Sequence, residues 1–254
     1  MTDSRADRVT TEVDGHVLVV TMTREAKRNA VDRVMADALD DALNRLDDDP
    51  DLWCGVLQAR GAVFCAGSDL TAKGDYVTER GGEYGLIRRH RRTPLIAAVD
   101  GPALGGGLEI TLACDLVVAS TAARFGLPEV TIGVLPTCGG LFRGPRALPL
   151  NLARQLVLTG DPIDAETAHR HGLVNVLTEP SGAADAARAL AQRICRNSPT
   201  SVRLCVEAID RILDGDGDGW GATDDAARGL WDSADAVEGV TAFLERRPPV
   251  WTGR

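Results

Sequence analysis

The chain has 254 residues, 44% of them hydrophobic and 26% charged, a size and balance that support a substantial buried core. A formal net charge of -9 and a pI near 5.0 exclude a general affinity for nucleic acid or anionic membranes, both of which need a basic surface. The polar, mixed-charge start (1–8) and the brief first apolar run (17–20) read as neither a signal segment nor a membrane span, so a soluble cytoplasmic protein is expected.

In chain order, residues 9–22 read as a β-hairpin, two β-rich runs flanking Asp14-Gly15, a dipeptide that tolerates the positive φ of a tight turn. The clearest helix follows: Val31, Val34, Met35, Ala38, Leu39, Ala42, Leu43 and Leu46 recur at helical spacing, with Asn29 as the expected cap and an acidic opposite face. Short apolar runs at 53–57, 95–99, 116–119 and 173–177 then alternate with loops and helices and predict buried strands of an α/β architecture. Strand signals stop after about 183, and 183–195, 200–213, 222–233 and 235–246 predict helices. The expected division is a core over 1–195 and a helical region over 196–254. The six cysteines at 54, 65, 114, 138, 195 and 205 form no C-x-x-C pair and read as buried free thiols rather than disulfides or a metal site.

Two glutamates carry most of the chemical information. Glu109 closes Gly105-Gly106-Gly107-Leu108-Glu109, and Glu129 closes Phe125-Gly126-Leu127-Pro128-Glu129; carboxylates fixed behind such turns suit acid–base work in one pocket. The turn Ala66-Gly67-Ser68-Asp69-Leu70 and the triple glycine 105–107 leave backbone N–H groups accessible to a ligand oxygen, and two such groups together make an oxyanion hole.

These segments, with Lys27-Arg28-Asn29-Ala30, the run 98–109, Cys114-Asp115, Gly139-Gly140, 168–174 and the closing stretch 242–249, stand in the order and spacing of the crotonase superfamily. The chain resembles an enoyl-CoA hydratase from about Val9 to Arg254. The resemblance implies a crotonase-like α/β spiral of β-β-α units whose C-terminal helices make trimer contacts, often within a hexamer. It implies an acyl-CoA thioester as substrate, held at its carbonyl by the N–H groups of Ser68 and Gly106. Glu109 then activates water for the β-carbon while Glu129 exchanges a proton at the α-carbon. No metal or redox cofactor is implied, coenzyme A being part of the substrate. The CoA and acyl positions carried over are Lys27, Arg28, Ala30, Ala66, Asp69, Leu70 and Thr137, with Phe243 and Arg246 approaching from a neighbouring subunit. Keeping both glutamates favours reversible hydration over double-bond migration; an isomerase, a carnitinyl-type dehydratase and a non-catalytic acyl-CoA-binding protein are the rival readings. Thr137 replaces the usual glycine after Pro136, Ser68 the commoner alanine, and Val206 a late-helix lysine.

Weaker signals have plainer explanations. Asp214, Asp216, Asp218 and Gly219, with Asp225 at the twelfth position, imitate a calcium loop, but Gly221 and the missing glutamate favour a solvated helix connection. Arg88, Arg89, His90, Arg91 and Arg92 read as an exposed helix face. His169 and His171 read as helix-end histidines beside the Gly172 cap.

Overall fold

The computed structural model describes residues 8–72, 75–213, 216–231 and 233–250. The chain opens with the hairpin β1 (Val9–Asp14) and β2 (Val17–Met22), registered from Val9 opposite Met22 to Asp14 opposite Val17. Gly15 supplies the positive φ of 59° at its turn. The next helix, α1 (Arg33–Asp48), is capped by Asp32, whose carboxylate accepts the Met35 N–H at 2.9 Å. Asn29, the expected cap, is buried in left-handed backbone (φ 53°) and donates to the carbonyls of Arg60 and Val63. A cap needs extended backbone, which Asp32 has and Asn29 lacks.

Then come β3 (Cys54–Ala59), β4 (Val77–Thr78), β5 (Gly82–Glu83), β6 (Leu95–Val99), β7 (Pro102–Leu104), α2 (Gly106–Leu112), β8 (Leu116–Ser120) and β9 (Arg124–Gly126). They are followed by α3 (Gly140–Ala147), α4 (Leu150–Thr159), β10 (Ile163–Asp164), α5 (Ala165–Arg170), β11 (Val176–Thr178), α6 (Ala183–Ile194), α7 (Pro199–Leu213), α8 (Asp216–Trp231) and α9 (Ala234–Glu245). Helix α8 thus starts at Asp216 rather than at 222, and the calcium-loop imitation dissolves into it; Asp214 itself lies outside the described residues.

The main sheet has the order β1-β2-β3-β6-β8-β11, parallel at every pair after the hairpin. Alternation sends Leu18, Val20, Leu57, Ala97 and Val99 into a core shared with Met35, Leu39, Leu43 and Leu46 of α1. It sends Val17, Val19, Val56, Ile96, Ala98 and Val118 to the other face, covered by Ala183, Ala187 and Ala191 of α6. Burial on both faces is why these strands read as unbroken apolar runs.

A second sheet, β10-β9-β7, positions the site. β7 and β9 run parallel with Ala103 opposite Phe125, and Cys65 bridges Ala103 in the same sense. Three chain segments therefore leave this edge side by side.

The basic cluster is a correction. Residues 84–88 form turns, not a helix, and Arg89 is buried, its guanidinium paired with Asp40 at 2.5 Å and Asp47 at 3.0 Å. Arg91 is likewise tucked in, 2.5 Å from Asp115. The acidic face of α1 is the counterpart of Arg89, so these charges are matched inside the fold rather than displayed. The helix-end histidines are as expected: Gly172 has φ 87°, and His169 Nδ1 lies 2.8 Å from the Val174 carbonyl oxygen.

Candidate active site

Register explains convergence. Ser68 lies three residues after Cys65, Gly106 three after Ala103, and Glu129 four after Phe125, so matched strand ends deliver all three to one place. The Gly105 N–H bonds the Gly126 carbonyl at 2.9 Å, locking the two exits together. Gly105 takes φ 56°, and a Cβ there would stand 3.1 Å from Glu129 Oε1; glycine is what lets the carboxyl lie against the turn. Gly67, at φ 89°, would place a Cβ 2.9 Å from the Gly106 nitrogen. The turns bearing Ser68 and Gly106 are therefore in close approach. Neither of those two N–H groups is taken by an acceptor among the described residues.

Glu109 sits one turn into α2, buried, and its Oε1 accepts the N–H groups of Cys138 at 2.7 Å and Gly140 at 2.9 Å. Burial, followed by the negative charge of Glu129, lifts Glu109 to about 8 in spite of those donors. Burial also lifts Glu129 to about 7, and its Oε2 is buried with no hydrogen-bond partner among the described residues. Near neutral pH the pair is poised between holding and releasing a proton. One carboxyl able to accept a proton beside another able to donate one, next to two free N–H groups, is equipment for proton transfer at carbons adjacent to a carbonyl.

Of the remaining positions, those at 27–30 and 66–70 lie together on two adjoining loops. Lys27 and Arg28 are exposed, with Lys27 Nζ 3.4 Å from Thr71 Oγ1 and the Arg28 carbonyl accepting the Ala66 N–H. Ala66 and Leu70 are exposed beside them, and Ala30 is buried beneath. The Asp69 carboxylate is turned inward to Arg24, 2.8 Å away; hydrogen bonds from Thr71 and Arg24 outweigh burial and hold it at about 2. Thr137 is half-buried next to Cys138. Phe243 and Arg246 lie exposed at the end of α9. That helix packs on the 128–132 segment carrying Glu129, with Gly239 fitted against the Ile132 carbonyl, where a Cβ would come within 2.3 Å.

Two groups at the site escape a sequence reading. Cys138 clamps Glu109 through its backbone, a role no side-chain pattern reveals. Tyr84 is fully buried, with its hydroxyl 2.8 Å from Ser68 Oγ and its ring stacked on Tyr76 at 4.9 Å between centroids. It sits in a polar, glycine-punctuated stretch that gives no sign of a buried aromatic.

The spiral of short parallel strands and the site at their ends define a crotonase-fold protein. The sequence model described as Enoyl-CoA hydratase/isomerase matches residues 12–254, and the chain belongs to that family. It is 39% identical over 267 residues to the (E)-benzylidenesuccinyl-CoA hydratase of Thauera aromatica, covering 96% of this chain and 99% of that protein. It is 36% identical to the short-chain-enoyl-CoA hydratase of Clostridium acetobutylicum, covering 95% and 96%. Among solved structures, a carnitinyl-CoA dehydratase from Mycobacterium avium 104 superposes with a TM-score of 0.91 at 42% identity, covering 98% of this chain and 100% of that one.

Proposed function

We propose that the protein is an enoyl-CoA hydratase that adds water reversibly across the double bond of a 2-enoyl-CoA. The observation that carries this reading is the meeting of two buried, proton-poised carboxyls with two unpaired backbone N–H groups at adjacent strand ends.

In this mechanism the thioester oxygen accepts hydrogen bonds from the Ser68 and Gly106 N–H groups. Donors of this kind are worth roughly 3–4 kcal/mol each as enolate charge develops. The coupled pair shares a proton near neutral pH, and in the productive arrangement Glu129 holds it while Glu109, its charge held by the N–H groups of Cys138 and Gly140, takes a proton from water as the water oxygen bonds to the β-carbon. Glu129, protonated, gives its proton to the α-carbon as the enolate collapses. The carboxyls have then exchanged protonation states, and transfer between them or with solvent restores the start. Dehydration is the same path reversed. The reaction calls for no metal or redox cofactor, and coenzyme A arrives with the substrate.

Lys27, Arg28, Ala66 and Leu70 form the exposed edge at which the CoA portion is placed, with Ala30 and Asp69 shaping the loop from behind and Thr137 facing the acyl end. Phe243 and Arg246, exposed here, complete this edge from a second copy in a trimer or a hexamer built from two. Val237 and Leu244, exposed on the same helix, support such contacts. Six free cysteines support a reducing, cytoplasmic location, and no helix among the described residues is long and apolar enough to cross a membrane.

The test is loss of the conjugated-thioester absorbance of crotonoyl-CoA, run beside Glu109→Gln and Glu129→Gln. Turnover that collapses in both folded variants supports the two-carboxyl hydratase. Wild-type protein that moves a double bond from the 3- to the 2-position without taking up water makes it an isomerase, and tight thioester binding without turnover of any acyl group makes it a binding protein. A second reading, dehydration of a carnitinyl-type hydroxyacyl thioester on this site, is favoured by the superposition on the mycobacterial carnitinyl-CoA dehydratase.

A further inference from the structure

Tyr84 is an unusual occupant of its position. It is 2% exposed, it holds left-handed backbone at φ 57°, and its hydroxyl abuts Gly106 so closely that a Cβ on that glycine would lie 2.3 Å away. A β-bearing residue in this region is strained, and the surrounding structure must over-determine it. Here Gly85, packed against the α1 backbone with a positive φ of 73°, and the stack on Tyr76 fix the ring. The phenol is thereby placed between the two turns that carry the carbonyl donors, sharing a 2.8 Å hydrogen bond with Ser68 Oγ.

On the hydratase reading, the acyl carbons beyond the thioester must run from these turns past Glu109. On the Tyr84 side the wall they meet is then the half-buried Ser68 hydroxyl, backed by the buried phenol, and so is hydroxylic. Facing a plain alkyl chain, the Ser68–Tyr84 pair would keep its remaining donor and acceptor capacity turned to methylenes, which a site tolerates at a cost.

We infer that the Ser68–Tyr84 hydroxyl pair is a specificity element of the acyl pocket, selecting thioesters whose acyl chain carries a neutral hydrogen-bonding oxygen substituent over alkyl chains of the same size. The negative charge of Glu109, felt at the phenol, argues for a neutral hydroxyl over a carboxylate. This inference rests on the hydratase reading for the direction in which the acyl chain runs.

Its test compares (E)-4-hydroxycrotonoyl-CoA with (E)-2-pentenoyl-CoA, in which a methyl replaces the hydroxyl. Both are titrated calorimetrically into protein carrying Glu129→Gln, so that binding is read without turnover, and again after adding Tyr84→Phe or Ser68→Ala. The expected result is tighter binding of the hydroxylated thioester, with the preference shrinking about tenfold or more in either variant and little further in the combination, since the two hydroxyls act as one pair. Ser68→Ala keeps the test alive if Tyr84→Phe does not fold. An unaltered preference in the variants, or a preference for the alkyl thioester from the start, overturns the inference. Hydration of crotonoyl-CoA by the wild-type chain is scored separately: activity without the preference sinks only this inference, and the preference without activity sinks only the hydratase reading.

Discussion

The strand-end half of the site and the wall opposite it are built by different means. On the strand side, Ser68, Gly106 and Glu129 are delivered by backbone register, and the fine spacing is set by glycines that leave no room for a Cβ. On the wall, the stretch from 75 to 92 contains only two-residue strands and is held to the body by side chains, through buried Tyr84, Leu86 and Ile87 and through ion pairs. Arg89 joins Asp40 and Asp47, Arg80 joins Asp48, and Arg33 joins Asp75. Backbone register leaves no freedom in where the reacting groups stand, whereas ion pairs let the wall be rebuilt by exchanging side chains. On the proposed reading, chemistry lives on the first and acyl selection on the second.

The sharpest way to break this contrast is to strip chemistry from the strand side alone. Glu109→Gln and Glu129→Gln are near-isosteric and are expected to lower kcat by about 10²–10⁴-fold while leaving thioester affinity close to wild type. A kcat unchanged in either variant would move the chemistry elsewhere. The matching experiment on the wall is Arg89→Met. It leaves Asp40 and Asp47 buried without their main cation, for a loss of about 3–5 kcal/mol and a fall in Tm on the order of 10 °C. In the protein that remains folded, KM and chain-length preference should shift more than kcat. The opposite split would show that the wall also positions the reacting atoms.

The same contrast decides what was legible in the sequence. The hairpin, α1, the central strands and α6 were readable because apolar periodicity survives in elements of five residues or more. The strands that aim the site, β7 and β9, have three residues each, too few for a period to register. The turns bearing Glu109, Glu129, Ser68 and Gly106 were still readable, because they demand glycine and proline whatever the strands look like. The wall left no such trace. Arg89 and Arg91 look like surface until their partners on α1 and at Asp115 are known, and Tyr84 needs its tertiary neighbours to appear buried. Long-range side-chain pairing is invisible to a local window.

A smaller effect follows from the raised carboxyls. Both glutamates hold their protons in the folded state, to about 8 and about 7, well above the ordinary 4.5 of the unfolded chain. The native state therefore binds more protons than the unfolded state across this range. The resulting stability is full below about 4.5 and is lost as pH rises through 7 and 8. Tm of the wild type should accordingly fall by a few degrees more between pH 6 and pH 9 than that of either glutamine variant. Equal slopes would mean that the pair does not titrate where its burial places it. The same pair predicts a bell-shaped kcat/KM whose limbs belong to the coupled carboxyls jointly.

The smallest effect is expected from Ser68→Ala, and its size is informative because Gly67 stands next to it. If the donor to the thioester oxygen is the Ser68 backbone N–H, removing the side chain leaves that donor in place. Turnover of crotonoyl-CoA should then fall by less than about tenfold. Gly67→Ala removes no functional atom, yet it forces a Cβ to 2.9 Å from the Gly106 nitrogen at a φ of 89°, so it should cost at least a hundredfold, the scale of one lost oxyanion donor. A deletion that matters little beside an added methyl that matters greatly is the signature of a cradle made from backbone. The reverse order, measured in variants with unchanged circular dichroism, would put the Ser68 hydroxyl itself on the reacting oxygen and end the separation between the two sides of the site.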